Sequence, residues 1–305
     1  MVLAWSLNFV VGKTGLAYLP PLTLASFRVV LASLLMVPIY AAYLWRANRR
    51  GAGERPGSRV RFSGRDWKTF VQLGLLGVAG NQMFFTVGLN YTTVGHSALI
   101  IGTGPISILF LAWALSLEAL TLKKLLGMGL AFGGVAVLAA EKGLSLQSAT
   151  LRGDLITLAG SMAFALYTVL GKRVAAVYDS VAMNAFNYFA GGLVVLPVAI
   201  WQGMRLSRGV GWHAVAWQGW AAVAYMAVFA SVVAYLIYFW VLKYMSASRL
   251  AAFSYLHPLF TTGLGIGLLG ERVTHSLLAG GGLVLAGVYL IEWGPRENQQ
   301  EDNIS

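Results

Sequence analysis

The chain has 305 residues, of which 58% are hydrophobic and 11% charged, with a net charge of +11 and no cysteine. A soluble protein covers its surface with about 25% charged residues, so the apolar excess excludes an ordinary soluble fold and calls for lipid. Lack of cysteine excludes disulfides, thiolate zinc sites and a cysteine nucleophile. The basic residues fall between apolar blocks and form no stripe, which argues against a nucleic-acid partner.

A membrane-spanning helix takes about 20 mainly apolar residues. Ten such blocks follow along the chain, at 2–18, 22–45, 70–89, 94–117, 125–140, 154–171, 181–201, 220–242, 247–270 and 277–293. None alternates with period two, so the expected class is an all-α integral membrane protein of ten transmembrane helices. The first block carries Trp5 and Asn8 on one face. The second holds Arg28 in its interior, whereas Lys13 and Arg249 lie nearer the ends of their blocks. Burying a charge there costs about 2.5–3.5 kcal/mol on insertion scales, so Arg28 needs a substrate carboxylate or a set of backbone carbonyls, or else it snorkels to the outer interface or caps a neighbouring helix. A polar loop with eight basic residues follows at 46–68.

The third block crowds Asn81, Gln82, Phe84 and Phe85 together; Asn81, Phe84, Phe85 and Gly88 have the i, i+3, i+4, i+7 spacing of one helical face. An amide between two rings suits a zwitterion as well as it suits a neighbouring helix. The fourth block is interrupted by Pro105 and ends at Glu118; Gly129–Gly133 in the fifth reads as a small-residue pair for close helix contact. The sixth offers Tyr167 with Phe164, the seventh Asn187 with Asn184 and Tyr188, and the eighth Tyr235 and Tyr238 with Phe239. The ninth carries His257, able to carry a proton or to sit as a neutral hydrogen-bonded residue, then the kink residue Pro258 and the pair Gly263–Gly267. Residues 295–305 read as a disordered cytoplasmic tail.

The chain repeats itself. At an offset of 153 residues, 89–138 aligns with 242–291 without a gap, and fourteen of the fifty pairs are identical. Pro105 meets Pro258, Glu118 meets Glu271, Thr121 meets Thr274, and Gly127 and Gly134 meet Gly280 and Gly287. At an offset of 159, SLNFVVGK falls on ALYTVLGK. Two units, 1–142 and 152–294, thus hold five spans each. Five is odd, so the units face opposite ways across the membrane. With the N-terminus inside, fifteen of the 22 basic residues lie on the inner side and six on the outer, as the positive-inside rule requires. Both termini are then cytoplasmic.

The LAWSLNFVVGK opening, the PPLTLASFR start of the second span, and the paired "P…E-x-x-T…G" blocks resemble the EamA branch of the drug/metabolite transporter superfamily. That resemblance covers nearly the whole chain. It implies a ten-helix inverted-repeat fold with substrate in a central cavity, in a family that often exports amino acids or other metabolites. Inverted-repeat transporters hold substrate near the bilayer midplane between their halves. The cavity candidates are therefore Trp5, Asn8, Arg28, Asn81, Gln82, Phe84, Phe85, Tyr167, Asn187, Tyr235, Tyr238 and His257. The expected function is export of a small polar metabolite, such as an amino acid, by alternating access across a bacterial inner membrane. No cofactor or metal set is read, and coupling ion and oligomeric state stay open. Gly12-Lys13-Thr14 and the GIGLLG run at 265–270 match nucleotide motifs in letters only, since no strand or soluble domain accompanies them. A polytopic membrane enzyme or a non-transporting scaffold are the competing classes; the first needs a nucleophile or acid/base pair at depth.

Overall fold

The computed structural model describes residues 1–49, 64–92, 97, 100–141, 148–209, 211–257, 259–260 and 275–292. These residues are helical almost throughout, with no strand among them. In chain order the helices are α1 (Val2–Leu16), α2 (Pro21–Arg49), α3 (Gly64–Leu73), α4 (Gln82–Tyr91), α5 (Gly104–Ala114), α6 (Leu122–Glu141), α7 (Ser148–Ala175), α8 (Ser180–Arg208), α9 (Trp217–Tyr225), α10 (Ala234–Tyr244), α11 (Ala247–Ala252) and α12 (His275–Glu292). Five continuous helices are long and apolar enough to cross a membrane: Pro21–Arg49, Trp67–Tyr91, Leu151–Ala175, Ser180–Arg208 and Trp217–Tyr244. Val2–Leu16, Ile100–Ala114 and Leu278–Ile291 are shorter apolar helices.

Two local departures from the sequence reading matter. The ends of the 46–68 loop are helical: α2 runs on to Arg49, whose guanidinium lies 3.8 Å over the Trp45 ring, and α3 starts at Gly64. The backbone ladder outlasts the apolar stretch because alanine and arginine are strong helix formers. Also, α3 joins α4 through a π-helical stretch, Gly74–Asn81, and α9 joins α10 through another, Met226–Val233. Each widens the turn at mid-helix, a feature frequent at functional sites.

Repeat-related residues make equivalent contacts. Lys13 Nζ donates to the Leu89 and Thr92 carbonyl oxygens at 2.8 and 3.0 Å, closing the C-terminal end of α4. Lys172 Nζ donates to those of Leu242 and Met245 at the same two distances, closing α10. A cation is the natural partner for a helix C-terminus, where the last carbonyls lack helical donors. Pro38 and Pro197, inside α2 and α8, stand at the offset of 159 that relates the two lysines.

Helices α6 and α12 meet at glycines. A Cβ on Gly134 would lie 2.5 Å from the Gly280 oxygen, and one on Gly287 2.5 Å from the Gly127 oxygen. The 153-residue offset exchanges these two contacts. The expected seam at Gly129–Gly133 is corrected, since both glycines face open space with nothing within 4 Å. Seven-residue spacing keeps Gly127 and Gly134 in one stripe two turns apart, whereas Gly129 and Gly133 point elsewhere. Gly263–Gly267 lies outside the described residues.

Candidate functional site

Helices α1, α2, α4, α5, α7 and α10, the end of the first π-helical stretch and the segment after α11 enclose a cavity of about 90 Å³ at mid-length of the bundle. Trp5, Asn8, Arg28, Asn81, Gln82, Phe85, Tyr235 and His257 line it, with Pro105. Pro105 lies in the first turn of α5, just after a turn at Thr103, where its missing N–H is tolerated. Pro258 lies outside the described residues.

Arg28 is 3% exposed. Its Nη2 donates to Ser231 Oγ at 3.1 Å and its Nη1 reaches Thr86 Oγ1 at 3.5 Å. Ser231 Oγ donates onward to Gln82 Oε1 at 2.9 Å, and Gln82 Nε2 donates to the Tyr188 hydroxyl at 2.8 Å. The chain of bonds links α2, the helix α3–α4, α8 and the second π-helical stretch around one cation. Arg28 Nε and Asn8 Oδ1 are buried with no hydrogen-bond partner. No carboxylate is among the residues that line the cavity.

The other walls are aromatic. Trp5 meets Tyr235 edge to face at 5.5 Å and Phe164 at 5.9 Å, and its Nε1 donates to the Ala230 oxygen at 2.9 Å. Tyr235 Oη donates to Asn81 Oδ1 at 3.0 Å, while Asn81 Nδ2 donates to the Gly160 oxygen at 3.0 Å. His257 Nδ1 lies 3.1 Å from Ser6 Oγ, between the rings of Trp5 and Phe9.

Four predicted residues do not line the cavity. Phe84 is 44% exposed on the outer surface. Asn81, Gln82 and Phe85 make the cavity stripe, and Phe84, turned about 100° from Phe85 on α4, falls at its outer edge. Gly88 of the same expected face packs on α7, where a Cβ would run into Thr157 Oγ1. Tyr167, Tyr238 and Asn187 are fully buried beyond the cavity, toward the end of the bundle marked by Lys172. Asn187 Nδ2 donates to the Tyr167 hydroxyl at 3.3 Å, and Thr168 Oγ1 lies 2.8 Å from the Tyr238 hydroxyl. The cavity also takes in Phe9, Ile101, Gly104, Ile108, Ser161 and Ser254. Apolar and small residues are the usual content of any span, so only their three-dimensional place singles them out.

The sequence profile of the EamA-like transporter family matches residues 1–140 and again residues 151–293. The chain belongs to the EamA-like transporter family. Among its relatives is an uncharacterized transporter of Archaeoglobus fulgidus, 29% identical over 95% of this chain and 93% of its own. The uncharacterized transporter YvbV of Bacillus subtilis is 26% identical over 95% of this chain and 88% of its own. The uncharacterized inner membrane transporter YedA of Escherichia coli is 24% identical over 96% and 89%. One crystal structure, at 18% identity, shares the fold with a TM-score of 0.71 over 95% of this chain and 93% of that one. An EamA-like chain with several apolar helices of spanning length is a multi-pass membrane transporter.

Proposed function

We propose that the protein is a secondary transporter that exports a small polar metabolite, such as an amino acid, across a bacterial inner membrane by alternating access. Its ten spans form two inverted units, 1–142 and 152–294, and both termini are cytoplasmic. The substrate gradient or exchange drives it; the cavity offers no carboxylate of the kind that commonly carries a coupled proton.

Arg28 carries this reading. A guanidinium held deep in an apolar bundle by two hydroxyls, with Nε unpartnered, lacks a counter-ion among the described side chains that reach it. A substrate carboxylate supplies one, and its bond is charge-assisted. Asn8 Oδ1, an unpartnered acceptor, suits the ammonium of the same substrate, and Trp5, Phe85 and Tyr235 pack its side chain. The twin lysine closures support inversion: Lys13 ties chain ends assigned to the outer face, and Lys172 ties ends assigned to the inner face.

Purified protein in liposomes loaded with a panel of radiolabelled amino acids tests the proposal. At least one zwitterion is expected to leave, and Arg28→Ala is expected to abolish the flux with membrane abundance unchanged. Flux equal to wild type in Arg28→Ala contradicts the assigned role.

A further inference from the structure

The cavity has an image. The offsets of 159 and 153 carry its lining residues Asn8, Phe9, Arg28 and Phe85 onto Tyr167, Thr168, Asn187 and Tyr238. Those four are the buried group beyond the cavity, each no more than 1% exposed. Trp5, Gln82, Ile101 and Gly104 map onto Phe164, Tyr235, Ser254 and His257, which share the same cavity, whereas the positions of Asn8, Phe9, Arg28 and Phe85 are hollow and their images are filled. Asn187 Oδ1 is buried with no partner, which is unfavourable in a static core and is relieved if the group meets water or a ligand in another state.

The filled end is also fastened. Ser116, in the left-handed region at φ 56°, turns the chain after α5 and delivers Glu118. Glu118 Oε1 accepts from the backbone N–H of Ser248 at 3.1 Å, and Oε2 accepts both the Ser248 hydroxyl and Lys124 Nζ, the latter at 3.2 Å. Ser248 is fully buried and the Glu118 and Lys124 side chains nearly so. This bond runs from the first repeat to the second, tying the end of α5 to the start of α11.

From these two observations we infer that Tyr167, Thr168, Asn187 and Tyr238 form a second, closed half of the substrate path, which Glu118 latches shut through Ser248. The inference rests on the alternating-access reading above and extends it to particular groups. The image site differs from the cavity in one respect: Asn187 stands where Arg28 stands. A carboxylate held by the guanidinium on one side meets only an amide, an aliphatic hydroxyl and two phenols on the other, so the opened second half releases an anionic group more readily than the first.

The absence of native cysteine makes the test direct. Thr168→Cys and Ser161→Cys are made singly and treated with a membrane-impermeant methanethiosulfonate cation in vesicles of both orientations. Ser161→Cys, in the cavity, is expected to react from one face. Thr168→Cys is expected to resist reagent, then to react roughly tenfold faster from the Lys172 face once Glu118→Ala or Ser248→Ala removes the latch, a factor within the usual range for coupled conformational equilibria. Ser248→Ala leaves the backbone N–H in place and serves if Glu118→Ala fails to accumulate. Thr168→Cys that stays unreactive in every accumulating latch variant overturns the inference while leaving the transporter reading intact. Ser161→Cys unreactive from both faces sinks the reading beneath it.

Discussion

Gln82 shows how one side chain serves both the site and the fold. It accepts from Ser231 with its carbonyl and donates to Tyr188 with its amide, and Ser231 in turn receives Arg28. Replacing it by leucine leaves two buried hydroxyls short of partners, at about 1–3 kcal/mol for each unsatisfied group. Gln82→Leu is thus expected to lower the thermal midpoint in detergent by several degrees and to weaken any substrate that depends on Arg28. Tyr188→Phe removes only the last bond of the chain and is expected to fall between it and wild type. Equal midpoints for all three proteins contradict the network. Arg28, Gln82 and their neighbours were legible in the sequence because a polar group inside a span is conspicuous. Ser231 and Thr86 were not, since serine and threonine occur freely in membrane helices with their hydroxyls bonded one turn back, as Thr86 is to Gln82.

At the scale of elements, two contacts carry the packing predictions. Lys13→Met and Lys172→Met each leave two helix-terminal carbonyls without a donor, and hydrogen bonds from charged groups contribute about 1.5–3 kcal/mol. The two variants are expected to lose similar stability in thermal unfolding followed by size-exclusion chromatography. A large loss in one and none in the other contradicts their equivalence. Along the α6–α12 seam, Gly134→Ala drives a methyl into backbone and is expected to destabilise by about 1–3 kcal/mol. Gly129→Ala meets nothing and is expected to be neutral or slightly stabilising, since alanine is the better helix former. Composition located the glycine-rich helices but not their seam. A small-xxx-small spacing recurs by chance wherever glycine is common, and the contact face depends on the partner. The π-helical stretches were invisible for a related reason: one extra residue in a turn leaves no mark in hydropathy.

For the whole molecule, class and repeat were the most legible features. Apolar blocks of spanning length state the solvent, and the pairing of Pro105 with Pro258 and Glu118 with Glu271 states the duplication without any structure. What periodicity alone missed is the asymmetry between equivalent positions. Tyr167, Asn187 and Tyr238 were grouped with the cavity because they carry the same chemistry as its lining, and two related halves present the same signal twice.

Alternating access in this protein depends on two units that cross the bilayer in opposite senses. Ala17 and Ala176 are both exposed, lie just past the two lysine closures, and stand at the same 159-residue offset. Single Ala17→Cys and Ala176→Cys variants, labelled with an impermeant maleimide in right-side-out and inverted vesicles, measure that relation directly. Inverted units label at Ala17→Cys from the outside and at Ala176→Cys from the inside; labelling of both from one face contradicts the inversion.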